Sequence, residues 1–335
     1  MSNIKDVARM AGVSVSTVSR VVNGSARVAP DKKAAVLEAM TTLRYQPNSL
    51  ARALVNRRSN CIGLMVGELG SPFFGQMMVG VDEVVEAGGR HLMITSGYNE
   101  AEREEVALDL LQQRQCDALI IHAKGLSDER LQALASGDTP VIFINRLVPG
   151  HEHRSIYLDN QQGAYLATRH LLARGHREIA FICSNLTQVA DGHERLAGYQ
   201  RALQDFDLSF DEQLVASAFP NEDGGNEAMS HLLGLNHSFT AVLAYNDVMA
   251  AGAIGLLLDS GFEVPHHMSV VGFDDVVITQ YLRPRLTTVH YPIAEMGRTA
   301  ARLALQILDH QPTLKPEALY FTPRLVVRNS VKTLR

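Results

Sequence analysis

The chain is poor in cysteine, short of positive charge overall and without long apolar runs. Its 335 residues hold three cysteines, Cys61, Cys116 and Cys183. They are widely spaced and each sits in an apolar run, so neither a disulfide framework nor a cysteine metal site is expected. The thiols read as core residues of a reducing compartment. No run of 18 apolar residues occurs and no cationic-then-apolar leader precedes the first helical pattern, so a cytoplasmic protein without a membrane partner is expected. The motifs GxGxxG, GxxxxGK(S/T), HExxH and GxSxG are all missing, which removes the common dinucleotide, P-loop, zinc-peptidase and serine-hydrolase chemistries. His151 and His153 flank Glu152 in a Pro-Gly loop, and His266-His267 are similarly placed; both pairs read as solvated. Asp274-Asp275 are adjacent at a strand end and point apart, which suits neither arrangement of a two-carboxylate glycosidase. No enzyme, metal or cofactor is expected.

A formal net charge of −5 alone argues against a nucleic-acid partner, but its distribution argues the other way. Residues 1–60 carry ten cations, among them Lys5, Arg20, Lys32 and Arg58, against Asp6, Asp31 and Glu38. That leaves a head of +7 on a body of −12, as phosphate binding by the head alone requires. Within the head, IKDVARMAGVSVSTVSRVVN (4–23) holds two short helical patterns, Lys5–Met10 and Val15–Asn23, around the turn Ala11-Gly12-Val13-Ser14. Gly12 suits the positive φ that ends the first, and Ser14 is an N-cap for the second. Val7, Ala8, Val18, Val21 and Val22 give an apolar face. Val15, Ser16, Thr17, Ser19 and Arg20 stay outside. An arginine can bond guanine bidentately, hydroxyls can meet phosphates or bases, and a small apolar residue can meet a thymine methyl. This is the make-up of a helix-turn-helix reader, with an ordinary two-helix hairpin as the alternative. Pro30 then starts a third helix over 31–43, whose Ala35, Val36, Ala39, Met40 and Leu43 close the head.

The reader stretch together with YQPNSLARAL (45–54) resembles the LacI/GalR family of bacterial transcription regulators, and the resemblance runs to the C-terminus. It implies a helix-turn-helix head over 1–45, a hinge helix over 46–59 and an effector-binding, dimerising body over 60–335. It further implies DNA contacts at Val15, Ser16, Thr17, Ser19, Arg20, Asn23, Tyr45, Asn48, Ala51 and Leu54. The hinge, SLARALVNRR, is too short to hold a helix alone in water. In the family it orders on operator DNA, and Leu54 matches the leucine that wedges into the minor groove and kinks the duplex. A plain helical linker is the other reading.

From Cys61 apolar runs alternate with helical stretches: CIGLMVG, HLMITS, CDALIIH, PVIFIN, EIAFIC, TAVLAY and MSVVGF. Such repetition means α/β with parallel sheets covered on both faces, and about 275 residues suggest two lobes, as in the periplasmic sugar-binding proteins that this body resembles. Lobe 1 is expected over 60–159 and 291–320, and lobe 2 over 160–290. Ligands in open α/β sheets sit beyond the carboxyl ends of strands, here the cleft between lobes. Candidate effector residues at strand ends are Phe73 and Phe74, Arg146 (after Asn145), Asn246 and Asp274; the resemblance further implies Arg195 in ERLAGY, which matches the family's cleft arginine, and Phe219 as a lid. Asp247 and Asp275 are assigned to capping and scaffolding.

Gly75 and Ile293 depart from the lactose-responsive founder of the family. HAKGLSDERL (122–131), INRLVPGHEHR (144–154) and RPRLTTVHYPI (283–293) look like its galactose-responsive branch. The expectation is a homodimeric repressor that leaves a pseudo-palindromic operator when a small sugar, D-galactose first, binds. A different sugar, a sugar phosphate or a purine acting as corepressor is the alternative; an enzyme fused to a DNA-binding head and a ligand-independent architectural protein are the more distant ones. Ser16 stands where the galactose branch commonly has alanine, so one operator base is expected to differ. No leucine-heptad tail follows the last strand, which argues against a coiled-coil tetramer.

Overall fold

The computed structural model describes residues 2–22, 28–45, 59–186, 190–235 and 237–334. Asn23, Asn48, Ala51 and Leu54 lie outside these residues, as does 46–58 of the expected hinge. The chain divides into two compact units, Met1–Asn60 and Cys61–Arg335.

In the first unit α1 (Ile4–Met10), α2 (Val15–Val22) and α3 (Pro30–Thr42) surround a small core of Val7, Ala8, Val18, Val21, Val36 and Ala39. Asn3 caps α1 in a reciprocal box. Its side chain accepts from the Lys5 and Asp6 amides, and the Asp6 carboxylate accepts from the Asn3 amide at 3.0 Å. Gly12 has φ +62°, a conformation that costs an L side chain energy, and this turns the chain from α1 into α2. Ser14 Oγ accepts from the Thr17 amide at 3.2 Å, the N-cap bond that starts α2.

The second unit holds two six-stranded sheets. The first comprises β1 (Cys61–Val66), β2 (His91–Ser96), β3 (Ala118–Ile121), β4 (Val141–Ile144), β5 (Ser155–Leu158) and β11 (Tyr320–Phe321), in the order β11-β5-β4-β3-β1-β2. The second comprises β6 (Ile179–Ser184), β7 (Val215–Ala218), β8 (Ala241–Ala244), β9 (Ser269–Asp274), β10 (Thr287–His290) and β12 (Arg324–Val326), in the order β12-β10-β9-β8-β6-β7. All pairings are parallel except β10 with β12. Strands such as Val141–Ile144 and Ala241–Ala244 are buried along their whole length, because helices cover both faces of such sheets.

The helices of this unit are α4 (Pro72–Ala87), α5 (Ala101–Gln113), α6 (Asp128–Ala135), α7 (Asn160–Leu172), α8 (Ala190–Gln204), α9 (Glu222–Leu233), α10 (Asp247–Asp259) and α11 (Ile293–Leu308). They pack chiefly in pairs, α4 with α11, α7 with α8 and α9 with α10. A Cβ on Gly80 would stand 2.0 Å from the Ala294 carbonyl, so only glycine lets α4 and α11 approach this closely. The chain crosses between sheets after β5, after β10 and a third time after β11, where β12 returns to pair with β10. That third crossing, the helix α6 and the four-residue strands β5 and β7 are additions to the elements read from the sequence. Their runs are too short to show a period. Among the described residues no helix is long and apolar enough to cross a membrane.

Candidate effector cleft and DNA-reading head

A cavity of about 220 Å³ opens between the two sheets. Its wall is built at the carboxyl ends of strands, where the backbone leaves the ladder and side chains are free to converge. Glu68 to Phe74 follow β1, Asn99 follows β2, His122 and Lys124 follow β3, and Asn145 follows β4. From the second sheet come Phe219 to Glu222 after β7, Tyr245 and Asn246 after β8, and Asp274 at the end of β9, joined by Asp191 and Arg195 from the first turns of α8. Asn145 (φ +59°) and Asp274 (φ +113°) both adopt positive φ, which is uncommon for residues with a Cβ and concentrates at ligand sites.

Most of the charge in this cleft is already paired. Asp191 Oδ2 accepts from Lys124 Nζ at 3.0 Å, from Tyr245 Oη at 2.8 Å and from Asn145 Nδ2 at 3.4 Å. Lys124 and Asn145 lie on the side of the first sheet and Asp191 and Tyr245 on that of the second, so the bonds from Lys124 and Asn145 cross the cleft. Arg195 is 3% exposed. Its guanidinium lies over the rings of Phe273 (3.7 Å) and Tyr245 (4.4 Å), donates to Asn160 Oδ1 at 3.1 Å and to the Tyr245 carbonyl, and stands 3.7 Å from Asp274. Burial alone would raise the Asp191 carboxyl, but the charges of Lys124 and Arg195 outweigh it and hold the group well below the usual aspartate range. For Asp274 burial wins over those same cations, and its pKa is pushed up to about 7. Asp247 is raised too, first by burial and then by Asp274.

Several polar atoms in the wall have no partner among the described residues: both ring nitrogens of His122, Asp191 Oδ1 and Asn99 Oδ1. His122 is 2% exposed between the edges of Phe74 (4.8 Å) and Phe73 (6.4 Å). Burial and the Lys124 charge lower its pKa to about 3. The neutral imidazole therefore keeps one donor and one acceptor, and buried groups of that kind normally find a partner.

The structure brings Phe73, Phe74, Arg195, Phe219, Asn246 and Asp274 to one cavity. Asn246 also caps α10, its side chain accepting from the Met249 amide at 2.8 Å, so the capping and cleft-lining roles coexist. Arg146 is the exception. It turns away into a neighbouring cavity of about 430 Å³ and pairs with Asp128, the first residue of α6, at 2.8 Å. Asp247 accepts from the Val276 amide and Thr288 Oγ1, and Asp275 is braced by Arg328 and His290. Both are scaffold. Lys124, Asp191, Tyr245 and His122 were not singled out from the sequence; the only local signal was their position just after a strand or at the start of a helix.

In the head, Val15 is 40% exposed, Ser16 and Arg20 are exposed, and Thr17 and Ser19 are half-buried. Ser14 Oγ shares hydrogen bonds with Ser16 Oγ (2.8 Å) and Thr17 Oγ1 (2.9 Å), which orients the hydroxyls at the start of α2. Tyr45 packs partly buried against the three-helix core.

Residues 3–48 match the model of the bacterial regulatory proteins of the lacI family, and residues 168–331 that of a periplasmic binding protein-like domain. The HTH-type transcriptional regulator GalR of Escherichia coli is 46% identical over 334 residues, 99% of this chain and 96% of its own. This chain belongs to the LacI family. It is a DNA-binding transcription regulator rather than an enzyme. The transcriptional repressor PurR of Mannheimia succiniciproducens is 34% identical over 336 residues, the whole of both chains. Among solved structures, the lac repressor dimer bound to operator and the anti-inducer ONPF superposes with a TM-score of 0.85 at 27% identity, covering 99% of each chain.

Proposed function

We propose that this LacI-family member is a homodimeric repressor of sugar-utilisation genes that leaves its operator when a neutral sugar, D-galactose first, occupies the cleft. The observation that carries the reading is the charge pairing of the cleft. Lys124 and Arg195 are both committed to protein partners, so among the described residues no cation lining that cavity is spare for a phosphate. What is left over is neutral or acidic: the His122 ring nitrogens, Asp191 Oδ1 and Asn99 Oδ1, which suit hydroxyls that both give and take hydrogen bonds. A cavity of about 220 Å³ is below the roughly 300–1,000 Å³ of drug-sized sites, room for a single small ring. The near-full-length likeness to GalR puts galactose first among candidates.

On DNA, α2 would lie in the major groove with Arg20 at a guanine edge, Val15 at a thymine methyl, and Ser16, Thr17 and Ser19 at bases or phosphates. Tyr45, Asn23, Asn48, Ala51 and Leu54 would contact backbone and minor groove. A dimer places two such helices on a pseudo-palindromic site. Ligand hydroxyls compete with the bonds from Lys124 and Asn145 to Asp191, so binding resets the angle between the lobes. The affinity difference between DNA-competent and incompetent states is commonly about 1–3 kcal/mol.

The test is thermal melting against galactose, fucose, glucose, ribose, a β-galactoside, hypoxanthine and hexose phosphates. A ligand at about 100 times its Kd adds about 2.7 kcal/mol. A shift with galactose and weaker operator binding in its presence support the reading. A shift with hypoxanthine or a phosphate alone, or tighter operator binding in saturating sugar, overturns it in favour of corepression.

A further inference from the structure

Two of the three cysteines meet. Cys61 is the first residue of β1, partly exposed, at the point in the chain where the N-terminal unit ends. Cys116, 5% exposed, stands two residues before β3. They are 55 residues apart in sequence, yet parallel pairing of β1 with β3 sets their Sγ atoms 3.9 Å apart. The Asp117 amide donates to the Cys61 carbonyl at 2.8 Å and keeps the two backbones side by side. The Cys116 thiol donates towards Cys61 Sγ, which lowers the Cys61 pKa and raises that of Cys116, with burial raising the latter further. The more easily ionised sulfur is thus the more accessible one, and its neighbour stands ready behind it. Cys183 lies elsewhere, buried, its thiol pushed up to about 11 by burial.

We propose that Cys61 and Cys116 are an oxidant-sensitive thiol pair that closes to a disulfide at the entry to the effector body, and that closure weakens operator binding. With a peroxide as oxidant, the Cys61 thiolate attacks one peroxide oxygen. The O–O bond breaks, water leaves after protonation, and Cys61 becomes a sulfenic acid. Cys116 sulfur then attacks Cys61 sulfur; the S–S bond forms as S–OH breaks, and a second water carries off the Cys116 proton. The two sulfurs together lose the two electrons that the peroxide gains. A disulfide requires the sulfurs to close to about 2.05 Å, so the first residue of β1 is drawn towards the loop before β3. Under the proposed function the chain that leads to the DNA-reading head joins the body at that residue, so closure shifts the point at which the head is attached.

The experiment uses the full-length protein treated with hydrogen peroxide, followed by thiol counting, non-reducing peptide mapping and binding to a DNA operator selected from a random library. The expected result is loss of two thiols, a linked peptide containing Cys61 and Cys116, and an unmodified Cys183. Operator affinity should fall at least about fivefold, the low end of ordinary coupling, and return with dithiothreitol. Cys116→Ser should stop at a sulfenic acid on Cys61 that dimedone traps, and both Cys61→Ser and Cys116→Ser should keep operator affinity under peroxide. Their melting without oxidant serves as the folding control. Survival of all three thiols, a disulfide between chains, or a Cys61–Cys116 bond that leaves operator affinity unchanged overturns the proposal.

Discussion

The head and the cleft are made of opposite materials. In the head the buried residues are small and aliphatic, and the polar side chains of α2 stand outside or at the rim. In the cleft several of the polar side chains that line the cavity are themselves buried, with Asp191 and Arg195 each 3% exposed and His122 2% exposed. Solvated groups act nearly independently, because water compensates each of them when a neighbour is removed. Buried charges act as a set, because removing one strands the others in low dielectric. The comparison says that the head should be tunable one contact at a time, and the cleft should not.

The sharpest way to break that contrast is Asp191→Ala. It leaves Lys124 without its carboxylate and Tyr245 Oη without its acceptor, and a buried pair cut on one side typically costs about 3–5 kcal/mol. Denaturant melts should show that loss together with a vanished sugar shift, and Lys124→Met added to Asp191→Ala should recover part of the stability. A loss of under about 1 kcal/mol, the range of exposed pairs, would mean the charges are not a unit.

A smaller effect follows from Asp274, whose pKa of about 7 stands above its ordinary 3.8. Between those values the folded state holds more protons at this group than the unfolded state, so its contribution to stability falls as pH rises through the window and is constant above it. The Asp274→Asn variant should therefore show a flatter fall in melting temperature between about pH 4 and pH 7 than the parent, whose Asp274 carboxyl has a pKa of about 7. An identical pH profile for the two proteins would place the titration elsewhere.

The same contrast explains what could be read in the chain. The head was legible because its signals are local: Gly12 at positive φ, Ser14 as cap, and valines at helical spacing. The longer strands were legible as apolar runs, and the rule that ligands sit beyond strand ends led to Phe73, Phe74, Asn246 and Asp274, while Arg195 and Phe219 came from the family resemblance. Lys124 and Asp191 are 67 residues apart and each is ordinary in its own stretch. Tyr245 reads as the last residue of an apolar run. Only the folded crossing of the cleft gives them a shared role. Arg146 was placed in the cleft because it follows Asn145. The partner that draws it away, Asp128, begins a helix whose eight residues carried too little pattern to be seen.

In the head, Arg20→Ala should cost about 1–3 kcal/mol of discrimination at one operator base pair while leaving the melting temperature of the protein unchanged. A uniform loss over all operator sequences would instead make Arg20 a phosphate contact. Ser14→Ala is the mildest change and tests the head's independence most finely. It removes the N-cap bond to the Thr17 amide, worth about 1 kcal/mol of helix stability, and releases the Ser16 and Thr17 hydroxyls that Ser14 now orients. If the head works contact by contact, operator affinity should fall by no more than this capping loss explains, and Ser14→Asp, which caps equally well, should restore stability. A larger affinity loss that Ser14→Asp fails to mend would show the three hydroxyls binding DNA as one cluster, and the head would then share the cleft's cooperative character.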